Sequence, residues 1–79
     1  MPVIRSASPA DVALLRELGA RLRLQRESAG LSQEALAHAC GLHRTYIGSV
    51  ERGERNATYL SLHKYASALG LTVAQLVSP

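Results

Sequence analysis

Between Gln33 and Arg52 the chain gathers side chains suited to an extended polar surface: Gln33, His43, Arg44, Thr45, Ser49 and Arg52. An arginine fork forms two parallel hydrogen bonds with a phosphate or with the O6 and N7 edge of guanine, and a small hydroxyl donates or accepts at short range. The spacing predicts a short helix from His43 to Arg52, because Ile47 and Val50 recur at i and i+3 and Gly53 follows as a stop. Arg44, Thr45, Gly48 and Ser49 then share its outward face. Small, polar and basic groups make a poor core surface and a workable lining for a groove.

Other chemistries find less support. His38, Cys40 and His43 lie close in sequence, but three ligands on a helix and a turn do not close a tetrahedral metal site. Cys40 falls on a core position and is expected to be a small buried apolar residue. The chain has no Ser/His/Asp grouping, no paired acids and no glycine loop that cradles phosphate, so no enzyme, metal or cofactor is expected.

The elements that position these side chains read as helices. Ser8-Pro9-Ala10-Asp11 supplies a cap, a proline in the first turn and a carboxylate near the positive end of the dipole. Leu15, Leu18 and Leu22 then recur at helical spacing up to Gly30, which predicts a first helix over 9–29 with Arg16, Arg23 and Arg26 on its other face or its edge. Ser32 caps a second helix over 33–40, with Leu36, Ala37 and Cys40 on one face and Gly41 as its stop. Thr58 starts a fourth, with Tyr59, Leu62, Ala66 and Leu69 on its apolar side, and Thr72 caps a last short one to about Val77. No stretch alternates like a strand. The fold class is all-α, a compact five-helix bundle, with residues 1–8 as an N-terminal tail and 9–79 as one domain.

Length and composition agree with this. Seventy-nine residues make one small domain, which buries only about 60% of its unfolded surface. With no Trp and no Phe, the core must be aliphatic. One cysteine excludes a disulfide framework. No apolar run approaches the ~18 residues of a membrane span, and no signal peptide is evident, so a cytoplasmic protein is expected. The net charge of +3 and pI near 9.6 permit a polyanionic partner. Eight of the nine cations are Arg, which suits phosphates and guanine edges but also follows from a GC-rich genome.

The stretch 33–52 has the features of two short helices crossing steeply: a small residue at the approach, Ala37; a turn residue free to take positive φ, Gly41; and a wedge of Leu36, Cys40, Leu42, Ile47 and Val50. It resembles the phage repressor and Cro-like (XRE-type) helix-turn-helix family. The resemblance extends from Leu18 to Leu76 through Leu-Gly-Ala-Arg-Leu at 18, Gly-Leu-Ser-Gln-Glu at 30, Leu-Ala at 36, Gly-Leu at 41, Glu-Arg-Gly at 51 and Ala-Leu-Gly at 68. Within the family, the run from His43 to Asn56 is most similar to controller proteins of restriction-modification systems.

That resemblance implies a lambda-repressor-like domain whose third helix enters the major groove of double-stranded DNA. Arg44, Thr45, Ser49 and His43 would read bases, and Gly48 would let the helix sit close to the duplex. Gln33 and Ser32, at the start of the second helix, with Arg52, Arg55 and Asn56 after the third, would hold phosphates. Tyr46 could stack in the wedge or offer its hydroxyl to a phosphate. Glu51 would repel DNA unless paired, and the resemblance supplies Arg26 as a partner joining the first helix to the third. Leu69 and Leu76 are expected mainly in the core, whereas Leu60, Val73 and Val77 are the expected dimer contacts of the C-terminal region.

The function expected is a homodimeric transcriptional regulator on a pseudo-palindromic operator in its own promoter, with RNA polymerase as a further partner and no membrane or small-molecule ligand. No second domain for an inducer is evident, so control is expected through protein concentration and operator arrangement. The alternatives are a phage-type or toxin-antitoxin repressor, or a helical protein-protein module without DNA binding.

Overall fold

The computed structural model describes residues 8–79, so all of the expected tail but Ser8 lies outside the described residues. Five helices follow in order: α1 (Pro9–Ser28), α2 (Gln33–Cys40), α3 (Arg44–Glu51), α4 (Tyr59–Ala68) and α5 (Val73–Val77), with no strand among the described residues.

Side-chain oxygens define most of the starts. Ser8, Ser32, Thr58 and Thr72 accept the backbone N–H of Asp11, Ala35, Ser61 and Gln75 respectively. At α1 and α5 the exchange is reciprocal, since the Asp11 and Gln75 side chains accept the cap residue's own N–H. Ser8 is therefore part of the folded domain. His43 precedes α3 with an extended backbone but makes no side-chain cap, so this helix depends on packing for its place.

Helix α3 is wedged between α1 and α2, α4 packs on α2, and α5 closes the far side against α1 and α4. The core is Leu22, Leu36, Ala37, Ile47, Val50, Tyr65, Ala66 and Leu76. Cys40, expected to be buried, is only partly so, because α2 ends there and the chain turns away at Gly41. Tyr59, expected on the buried side of α4, is 72% exposed. It occupies the first turn, beyond the reach of α2, and the buried side is instead built by Ser61, Tyr65 and Ala66. Leu24 is also left in solvent, at 63% exposure, because it faces away from every packed neighbour of α1.

Two glycines set the seat of α3. Gly41 takes φ of +71°, which lets the α2–α3 connection turn within a few residues while Leu42 N–H bonds the Ala37 carbonyl at 3.1 Å. Gly19 is buried where α1 crosses the C-terminal end of α3, and a Cβ there would overlap the carbonyl oxygens of Glu51 and, at 2.5 Å, of Val50. These are backbone atoms and cannot rotate away. Gly19→Ala is therefore expected to push the two helices apart and lower stability by about 1 to 3 kcal/mol, read as a reduced urea midpoint; an unchanged midpoint would contradict the close crossing.

Candidate nucleic-acid interface

Beneath the outward face of α3 lies a buried polar cluster. Arg26 and Glu51 meet side-on, Nε to Oε2 at 2.8 Å and Nη2 to Oε1 at 2.9 Å, with side-chain exposures of 8% and 2%. The remaining Arg26 donor, Nη1, bonds the Leu31 carbonyl at 2.7 Å. Glu51 also accepts from Gln33 Nε2 at 3.1 Å. The single proton of the Tyr65 hydroxyl lies between two acceptors, Glu51 Oε2 at 2.6 Å and the Leu22 carbonyl at 2.8 Å. Each charged oxygen thus has two donors near it, and no buried side-chain nitrogen or oxygen among the described residues lacks a partner.

Burial by itself would raise the Glu51 carboxyl, but hydrogen bonds from Arg26, Tyr65 and Gln33 outweigh it and hold the group below its ordinary value. The hydrogen bond to Glu51 raises Arg26. Burial, reinforced by the neighbouring carboxylate, pushes the Tyr65 hydroxyl far above its usual range, so it remains a donor.

On the surface above, Arg44 and Thr45 stand exposed in the first turn of α3, beside exposed His43, and no acidic group among the described residues pairs with Arg44. Ser49 is half-buried and donates its proton to the Tyr46 carbonyl at 2.9 Å. It therefore presents only lone pairs outward, which suit the exocyclic amine of a base better than a phosphate. Gly48 is not an open patch. It is buried beneath two side chains, since a Cβ there would stand 3.0 Å from Arg52 Nη1 and 3.4 Å from Gln33 Oε1. Its missing side chain makes room for Gln33 to reach Glu51.

The residues expected at the phosphates divide. Ser32 Oγ accepts from Ala35, which leaves its proton free beside the open amides of Gln33 and Glu34 at the start of α2. Arg55 lies over the Tyr46 ring, 5.5 Å from its centroid, in a groove of about 600 Å³ that Thr45, Ser49, Leu60 and Lys64 also line. Ser61 donates to the Thr58 carbonyl, so the 2.8 Å contact between Tyr46 and Ser61 carries the Tyr46 proton. Of the two roles open to Tyr46, the structure shows the packed one, and a phosphate would have to displace Ser61. Asn56 is not brought to this groove and instead lines a separate shallow one with Leu14 and Leu62.

Of the expected dimer contacts, Leu60 is 62% exposed and stands next to exposed Tyr59 at the start of α4. Val73 and Val77 are half-buried against the core, and the Val77 carbonyl accepts from Arg21 Nη1 at 3.0 Å. Two structurally important residues were not legible as such from the sequence, Tyr65 and Ser61. Tyr65 lies one turn after Ser61 on the stripe through Leu62 and Ala66, and a tyrosine on a buried stripe, whose hydroxyl needs a partner, was the available signal.

A short capped helix, a glycine turn and a second helix held by a buried ion pair with its polar face outward define a helix-turn-helix DNA-binding module. The helix-turn-helix family model matches residues 22–76. The chain is 51% identical over 61 residues to the control protein C.SmaI of Serratia marcescens, covering 77% of this chain and 73% of that protein. It is 43% identical over 55 residues to the control protein C.BamHI of Bacillus amyloliquefaciens, covering 70% and 68%. The crystal structure of the restriction-modification controller protein C.AhdI from Aeromonas hydrophila superposes with a TM-score of 0.79 at 47% identity, covering 81% of this chain and 97% of that one. The chain belongs to the XRE-type helix-turn-helix family of DNA-binding transcription regulators, which are not enzymes, and it resembles the restriction-modification control proteins within it.

Removing one partner of the ion pair strands a buried charge, so Glu51→Ala is expected to cost about 3 to 5 kcal/mol in urea unfolding. Because Glu51 titrates lower when folded than unfolded, its contribution is present above the unfolded value of about 4.3 and lost as pH falls through the folded value. Glu51→Gln should therefore flatten that acid limb; an unchanged slope would contradict the assignment.

Proposed function

We propose that this chain is a sequence-specific reader of double-stranded DNA that works as a homodimer on a pseudo-palindromic operator, as a restriction-modification controller acting on its own promoter. The observation that carries the reading is the position of Arg44 and Thr45: exposed, free of acidic partners among the described residues, and on a helix whose opposite side is fixed by Arg26–Glu51. Arg44 would take the O6 and N7 edge of a guanine, the Thr45 methyl a thymine methyl, and Ser49 the amine of an adenine or cytosine. The α2 amides, Ser32 and Arg52 would hold the flanking phosphates on one side, with Arg55 on the other. RNA polymerase is the further partner this role requires, and the cytoplasm is where both are met. No helix among the described residues is long and apolar enough to cross a membrane.

A single reading helix covers half a site, and a two-fold dimer places two of them about 34 to 36 Å apart on one side of the duplex. The exposed pair Tyr59 and Leu60 supports the start of α4 as part of the contact between copies, with Val73 and Val77 behind it.

Binding to duplexes from the chain's own upstream region, followed by fluorescence anisotropy, tests the reading. Affinity should fall steeply and linearly in log–log form with salt, and Arg44→Ala should cost about 1 to 3 kcal/mol on the preferred sequence while relaxing preference at one base pair per half-site. Equal losses on every sequence would make Arg44 a phosphate contact, and salt-independent binding would remove the DNA reading altogether. Sedimentation of Leu60→Glu should show more monomer than the native chain, and an unchanged profile would exclude Leu60 from the interface.

A further inference from the structure

The polar face of α3 ends in a contact that DNA reading does not require. Arg52 donates from Nε to Glu54 Oε2 at 3.0 Å, and its Nη1 lies over Gly48, 3.0 Å from where a Cβ would stand. The carboxylate reaches the arginine because the turn is held. Gly53, with φ of +73°, donates its N–H to the Val50 carbonyl at 3.0 Å, and Glu54 donates its own to the Ser49 carbonyl at 2.9 Å. This paired closure directs the residue after the glycine back along the helix. The turn is further pinned from outside: a Cβ on Gly53 would meet the backbone of Arg16 at 2.7 Å. An acidic side chain is thus presented by a closed turn to an arginine that faces the expected DNA surface.

We infer that Glu54 is an internal stand-in for a DNA phosphate: it holds Arg52 extended across Gly48 in the free protein and must release it when the backbone arrives, so that it sets an upper limit on affinity. The inference rests on the DNA reading proposed above. Two acceptors compete for one fork, and a carboxylate and a phosphate oxygen offer it the same geometry. The hydrogen bond between them lowers the Glu54 carboxyl and raises Arg52, so both are charged at neutral pH. Gln33 Oε1 stands 3.4 Å from the same Cβ position above Gly48, so the arginine is held beside the side chain that links the surface to Glu51. Releasing Arg52 costs the free protein this pair, so the effect of Glu54 on binding runs through Arg52.

Glu54 is exposed, so E54Q should fold normally. The test is a double-mutant cycle of E54Q and R52Q on the native chain, using anisotropy on the upstream duplex at two salt concentrations, with E34Q as a control that removes a carboxylate near α2 without touching Arg52. E54Q is expected to tighten binding by about two- to fivefold at low salt, an effect sized by exposed ion pairs and fading as salt rises. In the R52Q background the same change should shift affinity by less than about 1.5-fold, as a competitor without its arginine has nothing to hold. Additive effects, or an equal gain from E34Q, would show a general charge effect and overturn the inference while leaving DNA reading intact. Absence of salt-dependent binding by the native chain would instead overturn the functional reading, and the competitor role with it.

Discussion

The buried pair of Arg26 and Glu51 is the interaction on which the rest of this domain depends. Helix α3 has eight residues and no side-chain cap at its start, too little to be stable alone. Its place is dictated by what it touches. Ile47 and Val50 give it a buried side, but hydrophobic contacts tolerate rotation by a few degrees and sliding by a fraction of an ångström. A side-on guanidinium–carboxylate contact tolerates neither, because both hydrogen bonds weaken together when the planes tilt. Arg26 is anchored in turn by the Leu31 carbonyl, and Tyr65 brings α4 into the same cluster. Helices α1, α2, α3 and α4 therefore share one polar centre.

A centre of this kind is costly in desolvation and adds little net stability over an apolar equivalent. What it adds is orientation. The same carboxylate that would repel DNA is neutralised from below, so α3 can present Arg44 and Thr45 outward without an acid among them. Gln33 carries the connection to the surface, its terminal amide lying over Gly48 with Nε2 on Glu51. The two buried glycines of this region do opposite jobs in space: Gly19 lets backbones touch on the inner side of α3, and Gly48 lets side chains cross on the outer side.

The charge distribution follows from this arrangement. A total of +3 understates what a duplex would meet, since Arg26 is buried and Arg21 and Arg23 are paired along α1 with Glu17 and Glu27. Arg44 and Arg55 remain on the side of α3 and its following loop, and Arg52 is there too, held by Glu54. Local field rather than net charge governs attraction to a polyanion, and within a Debye length of about 8 Å the paired side of α1 contributes little.

The sequence alone determined the five helices, because caps, stops and apolar spacing are local signals written within a few residues of each boundary. Ser8, Ser32, Thr58 and Thr72, with Gly41 and Gly53, place most ends to within a residue. It also determined the outward polar face of α3 in outline, since period 3.6 sorts Ile47 and Val50 from Arg44, Thr45 and Ser49. Tertiary structure alone decided which polar groups are spent. The burial of Gly48 under Gln33, the commitment of Tyr46 to Ser61 and the inward Tyr65 all depend on atoms 10 or more residues apart in the chain. Periodicity reports which side of a helix faces inward, but a hydrogen bond is satisfied by whichever distant partner the packing brings within about 3 Å, and no local pattern encodes that distance.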